Sequence, residues 1–174
     1  MTVREAIAQE MEKLSKIPEV VFLGENVINS GRIYHTLDQV PIDRCIEMPI
    51  AENLIAGAAI GLALAGFFPI CIFQRMDFML IAADQIINHA CQMEKMCGRK
   101  MELPILFRTI KAELNEKFFV GHQHSKDFTY IFEPHLSTFV IPHTIPCSTI
   151  YQLMIKRMKP TLVVEDYASY NNTA

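Results

Sequence analysis

Residues 48–73, MPIAENLIAGAAIGLALAGFFPICIF, carry no charge from Leu54 to Phe73 and a single carboxylate, Glu52, just ahead of that run. About 20 uncharged residues suffice to cross a bilayer as one helix, so the stretch decides between a membrane protein and a globular one. Gly66 and Pro69 decide it. Glycine commonly ends a helix and proline cannot continue one, so the pair divides the run into a helix of small residues and a short strand, FPICIF. Helix and strand together read as part of a buried α/β core. Gly57 and Gly61, one helical turn apart, leave room for another backbone or a flat ligand, and close packing is the expected use.

Outward from that centre, β-branched runs alternate with helix-length segments: VVFLGE, RCIEM, FPICIF, LPILFRT, TFVIP and TLVVED. The pattern predicts an α/β fold, a single three-layer domain with a mostly parallel sheet and helices on both faces. The N-terminal MTVREAIAQEMEKL reads as an amphipathic helix with Val3, Ile7, Met11 and Leu14 on one face, and it carries no apolar core of an export signal. Residues 78–97, apolar on most sides, are expected to form a largely buried helix. Thr109–Phe128 is a polar interruption long enough to have a use of its own.

The chain has 174 residues, 51% of them hydrophobic, and a net charge of −3. One domain over 1–174 is expected, and no basic field is present to attract nucleic acid. The five cysteines (Cys45, Cys71, Cys91, Cys97, Cys147) are odd in number and lack a CxxC pair, so they read as reduced core residues of a cytoplasmic protein. No ligand pair among His89, Cys91, Cys97, His122 and His124 follows zinc spacing, and no metal site is expected in the chain.

Ligands of parallel sheets gather beyond the carboxyl ends of the strands. Polar residues stand at several such ends here: Glu25, Glu52, Arg75, Asp77 and Arg108. The simplest expectation for Glu25, Arg75 and Asp77 is a wet strand end. Glu52 differs because it opens an apolar helix, where it either caps the helix or serves chemistry.

The blocks TVREAIAQEM, VFLGENV, DRCIEMPIAENLIAGAAIGLALAGFFPICIFQRMDFMLIAADQIINHACQMEKM, LPILFR, HQHS and PTLVVED resemble, in order, the pyrimidine-binding domain of transketolase-like thiamine diphosphate enzymes. The resemblance is greatest to the beta subunit of the first component of 2-oxo acid dehydrogenase complexes (pyruvate, branched-chain or acetoin type), and it covers nearly the whole chain. It implies that Glu52, in PIAE, binds the cofactor and exchanges a proton with a ring nitrogen of its aminopyrimidine. It implies that Phe78 stacks on that ring and that the active-site histidine His124 borders the substrate, with His122 a solvent-exposed neighbour. The cofactor implied is thiamine diphosphate, which supplies the carbanion chemistry.

The chain departs from the family's pattern in four places. It lacks a G-D-G followed by asparagine, the pattern that holds magnesium and diphosphate, so a diphosphate-binding alpha-type subunit is the expected partner. Between the arginine strand and His124 only Gly121 remains of a usually glycine-rich stretch, and NSGRIYHTLDQVPIDR is shorter than the corresponding region of many relatives. The family's C-terminal domain does not follow, as in a separately encoded domain or a fragment. The implied reaction is decarboxylation of a small 2-oxo acid, with two-carbon ketol transfer as the pyrimidine half of a split transketolase-like enzyme, or a non-catalytic scaffold, as the alternatives. Homo-oligomeric pairing of two-fold symmetry is also implied, with no nucleic acid and no membrane as partners.

Overall fold

The computed structural model describes residues 1–29, 31–112, 121–141 and 146–174. Six strands form one sheet in the order β2-β1-β3-β4-β6-β5: β1 Val20–Gly24, β2 Cys45–Glu47, β3 Phe68–Phe73, β4 Leu106–Lys111, β5 Ser137–Ile141 and β6 Thr161–Asp166. Every pairing is parallel. Sheets of this kind are covered on both faces, and central β3 accordingly buries Ile70, Cys71 and Ile72 completely.

One face is covered by α1 (Val3–Ser15), whose expected stripe Val3, Ile7, Met11 and Leu14 is fully buried. Thr2 caps this helix reciprocally: its hydroxyl accepts from the Glu5 N–H at 3.3 Å, and Glu5 Oε2 accepts from the Thr2 N–H at 2.7 Å. The opposite face is covered by α2 (Glu52–Leu64), which buries Ile55, Ala56, Ala59, Ile60 and Ala63. Gly66 ends α2 at φ 91°, with Phe67 N–H bonded to Leu62 C=O at 3.0 Å and Gly66 N–H to Ala63 C=O at 3.1 Å. That pair of bonds needs a left-handed residue, which is why glycine stands there. Among the described residues no helix is long and apolar enough to cross a membrane.

The expected buried helix over 78–97 does not form as one element. The chain winds as α3 (Met76–Met79), a 3₁₀ turn (Leu80–Ala82), a π-helix (Asp84–Ala90) and α4 (Met93–Cys97). Only the stripe Met79, Ala82, Ile86 and Ala90 is buried, while Ile81, Asp84, Asn88 and Met96 are exposed. Part of the apolar content is thus surface rather than core. Cys97 is exposed for the same reason, against the expectation of a core cysteine; Cys45, Cys71 and Cys147 are buried, and all five are free thiols. Gly61 also departs from expectation, since a Cβ there would meet nothing within 4 Å, so none of the described residues packs against it. Of the polar interruption, residues 113–120 lie outside the described residues, as does Pro142 of TFVIP.

Gly24 sets how closely β1 and β3 approach. Its φ is 154°, and a Cβ would lie 2.4 Å from the carbonyl oxygen of Ile72, its register partner. Gly24→Ala is expected to destabilise the fold by about 1–3 kcal/mol, because the backbone rather than a flexible side chain must give way. Urea unfolding checks this, and an unchanged midpoint would show that the strands part freely.

Candidate functional site

The C-terminal ends of β1 and β3, the start of α2 and the segments at Tyr34, Phe78 and His124 surround a cavity of about 390 Å³. Glu25, Glu52, Phe78 and His124 line it together with Tyr34, Gln74 and Arg75, and Ile72 and Phe73 form an apolar wall. The three residues implied by resemblance, Glu52, Phe78 and His124, therefore come together, from three different elements.

Glu52 is the first residue of α2 and only 6% exposed. Ala51 occupies the N-cap without a side-chain bond, and the Glu52 carboxylate accepts no hydrogen bond from the described residues, so it does not cap the helix. The helix dipole favours a carboxylate there while leaving its oxygens available. Phe78, one turn into the segment after β3, meets the His124 ring edge to face, with centroids 5.0 Å apart and planes at 83°. His124 ends a 3₁₀ turn, His122–His124, that follows Gly121 at φ 106°. Its Nδ1 is buried without a hydrogen-bond partner among the described residues, whereas His122 is exposed.

A polar brace, not anticipated from the sequence, holds the rim. Glu47 at the end of β2 accepts from Asn26 N–H at 2.7 Å and Ile28 N–H at 2.8 Å. Asn26, left-handed at φ 57°, donates through Nδ2 to Gln74 Oε1 at 2.7 Å, and Gln74 in turn reaches the Tyr34 hydroxyl at 3.4 Å. Tyr34 lies on a left-handed turn in which Arg32, Ile33, Tyr34 and His35 all have positive φ. Such a run is unfavourable for L-residues and persists only when its surroundings determine it. Arg32 does so by donating to the carbonyls of Val27 at 3.0 Å and Val40 at 2.9 Å, while Ile33 and Leu37 anchor the turn in the core. The sequence signal available for the brace was Asn26 directly after a strand, a residue that tolerates the left-handed region.

Glu25, Arg75 and Asp77 are not wet strand ends. Arg75 is 5% exposed, and Glu25 Oε1, Asp77 Oδ2 and Arg75 Nη1 are each buried without a hydrogen-bond partner among the described residues. The turn around Tyr34 and the segment at His124 contribute to the walls here, which a strand-by-strand reading does not show. Burial raises the Glu25 carboxyl above the usual glutamate range, helped by the negative charges of Glu52 and Glu47. A raised folded-state pKa penalises the ionised form, so Glu25 costs nothing at low pH and destabilises as pH rises above its ordinary value of 4.5. Glu25→Gln is therefore expected to melt like wild type in acid and at higher temperature near neutrality. A difference that shrinks as pH rises would contradict this.

Arg108 does not line the cavity. It is fully buried behind it, donating from Nε and Nη2 to the Glu165 carboxylate and from Nη2 to the Thr36 hydroxyl, while the Tyr170 hydroxyl donates to Glu165 Oε2. Burial and Glu165 push the Tyr170 phenol well above its ordinary range, which keeps it a donor.

A flat heteroaromatic with ring nitrogens fits the cavity: it offers a partner to an unpartnered acid, a surface for Phe78, and an acceptor or donor near the orphaned His124 nitrogen. A metal-diphosphate end has no counterpart, since no three His, Cys, Asp or Glu side chains cluster suitably among the described residues.

Residues 1–107 match the family model described as transketolase, pyrimidine binding domain. The chain is 40% identical over 177 residues to the mitochondrial pyruvate dehydrogenase E1 component subunit beta of Bos taurus, covering 98% of this chain and 48% of the relative. It is 32% identical over 145 residues to the acetoin:2,6-dichlorophenolindophenol oxidoreductase subunit beta of Cupriavidus necator, covering 76% and 41%. The chain thus spans about half or less of the length of these relatives. Among solved structures, a split-gene transketolase described as an inactive beta4 tetramer superposes with a TM-score of 0.69 at 18% identity, over 95% of this chain and 51% of that one. Campylobacter jejuni transketolase gives 0.71 at 15% identity, over 94% and 25%, and at these identities the likeness concerns the fold. The six-stranded parallel sheet and the matched sequence agree: the chain belongs to the family of transketolase pyrimidine-binding domains.

Proposed function

We propose that residues 1–174 are the pyrimidine-binding half of a thiamine diphosphate-dependent enzyme of the 2-oxo acid dehydrogenase type, acting on a small 2-oxo acid. The observation that carries this reading is Glu52, a buried residue whose carboxylate accepts no hydrogen bond from the described residues, sharing one cavity with Phe78 and His124. When bound, the cofactor supplies the electron sink for decarboxylation. Glu52 holds and moves a proton at a ring nitrogen of the aminopyrimidine, Phe78 fixes that ring by stacking, and His124 borders the substrate. The wall of Ile72 and Phe73 limits water around the acid, which strengthens each of these contacts.

The diphosphate and its magnesium are assigned to an alpha-type partner subunit. The surface suits such pairing: Leu54 and Leu64 on α2 are 54% and 50% exposed beside open Gly61, and Ile50 and Ile81 are 83% and 58% exposed. Exposed apolar residues in that number are expected to be covered in the assembly, by the partner and by a second copy of this chain.

Calorimetry tests the proposal. The full chain alone is expected to bind thiamine diphosphate weakly, and tightly once combined with a diphosphate-binding subunit. In that complex Phe78→Ala is expected to weaken binding by about 1–3 kcal/mol, the loss of one aromatic contact. Tight binding by the chain alone, or no loss in the variant, contradicts the assignment.

A further inference from the structure

Arg75 stands where β3 gives way to α3, and it lines the cavity that holds Glu52 and Phe78. Its guanidinium carbon lies 5.4 Å from the Tyr34 ring and 5.5 Å from the Tyr167 ring, and those two rings pack edge to face at 5.0 Å. The aromatic contacts orient the guanidinium plane without accepting its N–H donors. Among the described residues the buried Nη1 has no hydrogen-bond partner, and none of them forms an ion pair with the side chain. A buried charge left unpaired is strongly unfavourable, so an arginine held this way calls for an acceptor from outside the fold. Glu25 and Glu52 line the same cavity but do not supply one, and the charges that act on Glu25 are those of Glu52 and Glu47.

We infer that Arg75 is the carboxylate-recognition residue of this cavity, its unpaired guanidinium edge receiving a carboxylate of the 2-oxo acid. This rests on the 2-oxo acid reading above. A guanidinium matches the geometry of a carboxylate with two parallel N–H donors, and a plane already set by two rings loses little freedom on binding. The position is not assigned by the motif that identifies Glu52, Phe78 and His124. Its role is recognition: a pairing made with the substrate in its ground state tightens binding without speeding the reaction.

The test is carried out on the full chain by following the side-chain Nε–H resonance of Arg75, identified by its disappearance in Arg75→Lys. Pyruvate and 2-oxoglutarate are titrated at constant ionic strength, with inorganic phosphate and chloride as comparison anions. Saturable shifts by the 2-oxo acids and not by the comparison anions support the inference, as does at least about tenfold weaker binding in Arg75→Met, the loss of one charge-assisted pair, with wild type and variants compared by calorimetry. Arg75→Lys keeps the charge and is expected to retain part of the affinity, which separates lost recognition from lost folding. Tighter binding of 2-oxoglutarate than of pyruvate identifies a carboxylate remote from the keto carbon as the one held. Absence of any shift, equal shifts from all anions, or unchanged affinity in Arg75→Met overturns it. Glu52→Gln removes a negative charge from the same cavity and is expected to keep the 2-oxo acid shifts saturable, with affinity no weaker than wild type. Failure of the cofactor reading, seen as proton exchange undisturbed in Glu52→Gln, is thereby distinguished from failure at Arg75.

Discussion

Replacing Arg108 with methionine is expected to destabilise the chain by about 3–5 kcal/mol, a large share of the stability of a domain of this size. The cost does not arise from losing an attraction alone. It arises because Glu165, 0% exposed, is left charged in the core with only the Tyr170 hydroxyl, among the described residues, to solvate it. The same network ties β4 and β6 to Thr36 near the Tyr34 turn, so the loss is expected to reach the cavity rim as well. Converting both partners, Arg108→Met with Glu165→Leu, is expected to recover most of the loss, because no buried charge then remains. Urea unfolding of the two single variants and the double variant checks this. Equal destabilisation by the double and single variants would show that the network matters for packing rather than charge.

Glu52→Gln is expected to leave the fold nearly unchanged and to slow the reaction of the assembled enzyme by about 10²–10⁴-fold, the range of one positioned proton-transfer group. Glutamine keeps the shape and size of the side chain, and the acid it replaces makes no hydrogen bond to the described residues, so little structural stabilisation is at stake. What is removed is the capacity to hold and release a proton at that point of the cavity. The substitution also removes a negative charge acting on Glu25, so the Glu25 carboxyl is expected to move back toward its ordinary range. A variant with wild-type turnover would return Glu52 to a purely structural place at the head of α2.

The sheet was legible because each strand is a short apolar run bounded by residues that stop it. FPICIF is β3 from end to end, and VVFLGE overruns β1 by one residue, Glu25. The interruption at Gly66 was legible for the same reason, since a left-handed helix end asks for glycine. The stretch over 78–97 was misread because an apolar face made for a neighbour has the same composition as one made for the core. Periodicity alone does not separate Ile81, which is exposed, from Ile86, which is buried. Gly57 and Gly61 carried the same ambiguity.

Within the site, Glu52, Phe78 and His124 were reached through resemblance to a family, and the structure brings them together at one cavity. The positions of Arg75, Glu25 and Tyr34 were not legible. Each depends on the left-handed turn at 32–35 or on segments distant in sequence folding over the strand ends, and strand-end polarity alone suggested water there.

The central claim is that Glu52 activates a cofactor shared with a diphosphate-binding subunit. Its most direct test is the hydrogen–deuterium exchange rate of the cofactor's acidic C–H proton, measured in the assembled complex with wild type and Glu52→Gln. Rapid exchange in wild type that falls at least about a hundredfold in the variant, with the complex intact, is the expected result. Equal exchange in both would contradict the account.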